Sequence, residues 1–234
     1  MSGRRIALLF DVDGTLIDSG GAGARSWKLA FDELYGIPAD IGEFTDTGMT
    51  DPDVGRQTFE AVLDRKPSDE EFAKLLERRE HYLHQTVAES EGYRVLPGAE
   101  ELLRKLLVDG YLLGLVTGNL EASAHIKLHR AGLNRYFSFG GYGSDSPDRN
   151  EVTRVALRKA ALVYGAPLEA QQAIVIGDTP HDVSSAHAAG IECVGVASHE
   201  FDVDQLRDAE ADWVIESLAE GLPAASLDSA TRGG

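Results

Sequence analysis

Residues 6 to 16 read Ile-Ala-Leu-Leu-Phe-Asp-Val-Asp-Gly-Thr-Leu, an apolar run that breaks off abruptly in two carboxylates. The run is too short for a helix and has the pattern of a strand buried inside a parallel sheet. Side chains along a strand repeat every second residue, so Asp11 and Asp13 project the same way from its carboxyl end. That end of an open α/β sheet is where ligands bind. Two like charges held this close require a cation between them or a proton on one of them. Asp and Gly are also ordinary turn residues, and an isolated Asp-x-Asp would read as a turn. The strand before the pair and Gly14-Thr15-Leu16 after it turn the balance toward a site.

The rest of the chain supplies the layers such a strand needs. After Gly20-Gly21-Ala22-Gly23, helical patterns run to about Val95: one over 24–35, one over 52–64, and a third from Ser68. Ser68-Asp-Glu-Glu71 has the form of a capping box, and Phe72, Leu75, Leu76, Leu83 and Val87 share one face of that third helix. Beyond Leu96-Pro97-Gly98 a helix turns Leu102, Leu103, Leu106 and Leu107 inward and ends at Gly110. Strands and helices then alternate: strand 112–117, helix 120–131, a short strand near 136–139, helix 150–164, strand 173–177, helix 181–189, strand 191–196 and a last strand near 213–215. Alternation of this kind predicts an α/β fold, a Rossmann-like parallel sheet with helices on both faces. The tail from Ala224 to Gly234 is small and polar and is expected to be mobile.

Composition narrows the function classes. A formal charge of −17 argues against attraction to nucleic acid polymers or anionic membranes, so an anionic substrate must be drawn in by local cations. The single cysteine, Cys193, excludes intramolecular disulfides and multi-cysteine metal sites. There is no apolar run long enough to cross a membrane, and Arg4-Arg5 leads straight into the first strand without a signal-peptide pattern, which predicts a cytoplasmic protein. His125 and His129 have the helical spacing of two zinc ligands but lack a third, and read as surface or packed histidines.

An apolar strand followed by Asp-x-Asp-Gly-Thr resembles the first signature of the haloacid dehalogenase superfamily of aspartate-nucleophile hydrolases. Thr117-Gly118-Asn119, at the end of strand 112–117, looks like its second signature. Gly177-Asp178-Thr179-Pro180-His181-Asp182 matches the fourth, Gly-Asp-x-x-x-Asp. The third signature departs from the common pattern: where many relatives carry a Lys before Pro-x-Pro, the loop Gly140–Asp148 leads into Arg149-Asn150-Glu151. Arg149 is the best-placed cation by spacing, with Arg154 as the alternative. The resemblance also implies that residues 19–95 form an inserted, all-helical C1 cap on a core of 1–18 and 96–234, hinged near Ser19–Gly23 and Tyr93–Pro97. Trp27 and Arg25 are candidates to face the site from that cap.

The chemistry implied by the resemblance is hydrolysis of a small phosphorylated metabolite with Mg2+. Asp11 would be the nucleophile, forming an aspartyl phosphate, and Asp13 the acid and then the base. Asp11, Asp178 and the backbone carbonyl of Asp13 would hold the metal, with Asp182 as a further ligand or as the residue that orients them. Thr117, Arg149 and the groups around Gly14, Thr15, Gly118 and Asn119 would hold the phosphoryl oxygens. A sugar-phosphate mutase using the same aspartyl phosphate is the alternative. A dehalogenase fits less well, having no need of the acid Asp13, and a non-catalytic binding module has no need of all four acids. Phosphoglycolate, sugar phosphates and nucleotide monophosphates all remain open as substrates. The expected assembly is a monomer or a weak homodimer.

Overall fold

The computed structural model describes residues 6–232. In chain order it begins with β1 (Ala7–Phe10), β2 (Ile17–Asp18), α1 (Ala22–Tyr35), α2 (Asp51–Leu63), α3 (Asp69–Glu89) and β3 (Arg94–Val95). There follow α4 (Ala99–Val108), β4 (Leu112–Thr117), α5 (Glu121–Ala131), β5 (Gly140–Tyr142), α6 (Arg149–Tyr164) and β6 (Ala173–Gly177). The chain closes with α7 (Pro180–Ala188), β7 (Glu192–Val196), α8 (Val203–Asp208), β8 (Trp213–Ile215) and α9 (Ala224–Arg232).

The main sheet is parallel and six-stranded, in the order β5-β4-β1-β6-β7-β8. β1 pairs with β4 on one side and β6 on the other, in register Leu8 with Leu113 and with Ile174. Its residues serve both faces: Leu8 and Phe10 enter a core with α4 and α5, whereas Ala7 and Leu9 enter another with α6 and α7. This two-sided burial is why the strand reads as an unbroken apolar run. The α/β class expected from the alternation is the one found, with the helical insert α1–α3 between β2 and β3. The insert has its own core around Trp27, Phe31, Phe59, Phe72 and Leu75. Ser68 caps α3 with the reciprocal Glu71 bond that its sequence predicts.

Three local features differ from expectation. The strand expected near 136–139 lies at Gly140–Tyr142, because Leu133–Tyr136 takes a 3-10 turn after α5. Phe137 and Phe139 are spent on packing, Phe137 against Phe10 at 6.2 Å between ring centroids. The tail expected to be mobile from Ala224 instead forms α9, which buries Ser226 and Ala230 and packs Leu227 on the first core. Its last residues, Gly233 and Gly234, lie outside the described residues. The third feature is the antiparallel ribbon of β2 and β3, Ile17 with Val95 and Asp18 with Arg94, at the two crossings into the insert. There the backbones of Gly20 and Gly92 nearly touch: a Cβ on Gly20 would lie 2.5 Å from Gly92 C. No helix of the described residues is long and apolar enough to cross a membrane.

Candidate active site

The central strands deliver the acids to one rim. β1 stops at Phe10, and Asp11 continues onto β6 by donating its N–H to Ile176 O at 2.8 Å. Thr117 ends β4 on one side, and Asp178 follows β6 on the other. This is the carboxyl edge where an open α/β sheet binds its ligand. Asp178 can lie against the Asp11–Asp13 loop because residue 14 is glycine. Gly14 has φ +80, and a Cβ there would fall 2.1 Å from Asp178 Oδ2.

A cavity of about 160 Å³ opens between this rim and the insert. Asp11, Asp13, Thr117, Gly118, Asn119, Lys127 and Arg149 line its core side. Trp27, Ile41, Met49, Asp51, Val54 and Arg79 close it from the insert. Trp27 therefore reaches the site. Arg25 does not: it donates to Gly20 O at 2.7 Å and to Thr86 O at 3.2 Å, near the hinge.

Arg149 lies beside Asp11, on the rim where its spacing predicts a cation. Its Nη2 lies 3.2 Å from Asp11 Oδ1 and also donates to Asp182 Oδ1, while Nη1 reaches Gly48 O of the insert at 3.2 Å. Arg154, the alternative, bonds Ala188 O and pairs with Glu151 on the surface. Burial works against charge on Arg149, but Asp182 and Asp11 outweigh it and hold the guanidinium firmly protonated.

Several expected phosphate-binding residues have other work here. The Gly14 N–H is bound to Ile17 O at 2.8 Å, so Gly14 acts by its lack of a side chain and not as a donor. Thr15 spends its hydroxyl on Asp178 Oδ1 at 3.0 Å. Asn119 donates through Nδ2 to Asp13 Oδ2 and to Thr117 Oγ1, both at 2.8 Å. Its side-chain amide thus engages Asp13 and Thr117. Thr117 Oγ1 accepts from Asn119, which leaves its own proton for Asp11.

The acids fit a divalent cation. Oxygens of Asp11, Asp178 and Asp182 all lie within 4.8 Å of one another. Asp178 Oδ2 is buried without any hydrogen-bond partner, a cost that a hard cation would relieve. Burial, then the neighbouring Asp182 charge, pushes the Asp11 carboxyl up to about 7 despite Arg149. Burial with Asp11 and Asp182 raises Asp178 well above the carboxylate range. Asp182 is already occupied. Its Oδ2 accepts from Thr179 N at 3.0 Å and Thr179 Oγ1 at 2.8 Å, and its Oδ1 takes Arg149. Thr179, not Asp178, is the N-cap of α7, with Asp182 as its reciprocal partner.

Lys127, Arg79 and Asp51 complete the site without having been singled out from the sequence. Lys127 on α5 is only 5% exposed; its Nζ sits 2.5 Å from Asp13 Oδ2 and 2.6 Å from Asn119 Oδ1. Burial alone would raise the Asp13 carboxyl, but the Lys127 charge and its hydrogen bond, helped by Asn119, bring it below the usual range. Arg79, 1% exposed, reaches from α3 to Asp51 Oδ1 at 3.0 Å and to Ser123 Oγ on α5. A signal for Arg79 was present: it interrupts the apolar face of Leu75 and Leu83 at helical spacing, where an unpartnered charge could not sit.

The comparisons agree with this geometry. The family model of haloacid dehalogenase-like hydrolases matches residues 8–196. A probable phosphatase, IndB, of Dickeya dadantii is 28% identical over 93% of this chain and 92% of its own. A phosphoglycolate phosphatase of Rhodospirillum rubrum is 31% identical over 91% of this chain and 88% of its own. The solved structure of a beta-phosphoglucomutase from Clostridium difficile, 18% identical, superposes with a TM-score of 0.73 over 97% of each chain, which shows the shared fold. With the signature acids on one sheet rim and a family match over most of its length, the chain belongs to the haloacid dehalogenase-like hydrolases.

Proposed function

We propose that the protein is a magnesium-dependent phosphatase that hydrolyses a small phosphomonoester through an aspartyl phosphate on Asp11. The observation that carries this reading is Asp13, which lines the cavity two residues beyond the nucleophile and is held by Lys127 and Asn119. An alkoxide leaving group needs such an acid, whereas halide displacement does not.

An Asp11 carboxylate oxygen attacks phosphorus, the bond from phosphorus to the leaving oxygen breaks, and Asp13, which Lys127 keeps ionised in the free protein, must take up a proton as substrate binds in order to give it to that oxygen. Asp13 then takes a proton from water as the water oxygen attacks the aspartyl phosphate, releasing phosphate and restoring Asp11. Arg149 steadies the phosphoryl oxygens beside Asp11, and the Gly118 backbone and Thr117 border the same space. Asp11, Asp178 and the Asp13 carbonyl would hold Mg2+, with Asp182 fixing Arg149; the ion supplies positive charge that offsets repulsion between carboxylates and phosphoryl group. The insert walls exclude bulk water.

The cavity of about 160 Å³ suits a small phosphorylated compound. The names of the relatives point to phosphoglycolate as the first compound to try. A mutase would need room for a sugar phosphate, and nothing in the site favours that reading. A monomer or weak homodimer is the assembly proposed, and a metabolite substrate suits a cytoplasmic enzyme. The test is phosphate release from p-nitrophenyl phosphate, phosphoglycolate and a panel of sugar phosphates and nucleotide monophosphates, with magnesium and with chelator. Magnesium-dependent turnover that vanishes in Asp11→Asn supports the reading; turnover that survives the substitution defeats it.

A further inference from the structure

We propose that Asp51 is a positioning residue for the reaction: from the insert it brackets Asn119, and so holds the acid Asp13 in place only while the insert is seated on the core. The proposal rests on the phosphatase reading of the site. Its backbone N–H donates to Gly118 O at 2.7 Å, and its Oδ2 accepts from Leu120 N at 2.9 Å, the peptide groups on either side of Asn119. A third bond, from Gly143 N to Asn119 O at 2.8 Å, pins the bracketed residue from the core. Asn119 has little choice of position, and its side chain is what meets both Asp13 and Lys127.

The bracket explains an oddity of α5. The N-cap of that helix is Leu120, which has no side chain able to accept from the first turn. Ser144 Oγ of the core accepts from Glu121 N at 3.2 Å, and the Asp51 carboxylate, at the positive end of the helix, accepts from Leu120 N just ahead of it. Arg79 keeps that carboxylate in place from α3 and also donates to Ser123 in the first turn of α5. The insert therefore clamps the turn after β4 and, through Asn119, holds the acid.

A simple latch and a positioning residue differ in what they do to the leaving group. A latch would slow all phosphomonoesters alike. Loss of position at Asp13 falls on leaving groups that need a proton, because a nitrophenolate departs without one. The experiment measures kcat/KM on p-nitrophenyl phosphate and on a simple alkyl phosphate for wild type, Asp51→Asn and Arg79→Lys, with Asp11→Asn as the blank. Asp51→Asn is expected to lose about tenfold or more on the alkyl ester beyond its loss on the aryl ester. Arg79→Lys, which keeps a cation beside Asp51, should show a smaller bias in the same direction. Equal losses on both esters, or no loss, overturn the proposal. Amide exchange at Leu120 and along the first turn of α5 reports the bracket directly in the folded variants: faster exchange in Asp51→Asn upholds it and unchanged protection overturns it. Wild type without turnover on either ester defeats the phosphatase reading, and the exchange result then decides the bracket alone.

Discussion

Lys127 Nζ stands 2.5 Å from Asp13 Oδ2 on the core side of the cavity, so the acid's nearest cation comes from the sheet layer and not from the insert. The insert acts on the acid at one remove, through Asn119. Removing the cation while keeping its bulk is informative. Lys127→Met should free the Asp13 carboxyl to rise, moving upward the pH above which kcat on alkyl phosphates falls, with a smaller effect on p-nitrophenyl phosphate, as pH–rate profiles on the two will show. Asp13 keeps one side open to solvent, which limits the stability cost to about 1–2 kcal/mol in urea unfolding.

Asp11→Asn is expected to abolish turnover and yet stabilise the chelator-treated protein at pH 8. The Asp11 carboxyl sits at about 7 in the fold against an ordinary 3.8. Between those values the native state holds a proton that the unfolded chain has released. Stability contributed by this group is therefore complete below about pH 4, falls as pH rises to about 7, and stays lost above it. Thermal unfolding of wild type in chelator should show that slope, and Asp11→Asn should flatten it. Equal slopes in both proteins would refute the assignment.

A divalent cation held by Asp11, magnesium in the proposed reading, would displace the same proton. Its apparent affinity is expected to fall as pH drops below about 7, approaching tenfold per unit. Calorimetric titration in buffers of different ionisation enthalpy at pH 6.5 should register proton release on binding, shrinking at pH 8.5.

Gly14→Ala tests the packing behind the acids. The new Cβ would enter the space of Asp178 Oδ2, and φ +80 is unfavourable for alanine. The backbone alone costs about 1–2 kcal/mol. Displacing a metal-binding carboxylate should weaken magnesium binding by about 10–100-fold, read from the magnesium dependence of kcat/KM.

The parts of the site legible in the sequence were those built by short local patterns. A strand running into Asp11 and Asp13, and another into Gly177-Asp178, announce themselves because strand, turn and acid are contiguous. Arg149 could be placed by spacing because the first residue of α6 faces the rim. Asn119 lies in the right turn, but its partner Asp13 is 106 residues away, and no local pattern shows which polar atom it serves. Lys127 sits between Ile126 and Leu128 on a helix of weak amphipathic pattern, where a lysine ordinarily reads as solvated. Asp51, between Thr50 and Pro52, looks like the start of a helix and is one. That its carboxylate reaches a second helix follows only from how the layers meet. The ribbon of β2 and β3 was invisible because two-residue strands carry no periodicity.

That ribbon has a consequence for the covalent design of the protein. The chain leaves the core at Asp18 and returns at Arg94, and these two residues are paired across an antiparallel ribbon, about 5 Å apart. A two-residue turn between them would close the ribbon into an ordinary hairpin and leave the six-stranded sheet uninterrupted. The insert thus occupies the place of a hairpin loop. The strands that carry Asp11, Thr117 and Asp178 are thus joined to one another without any covalent need of the insert's length.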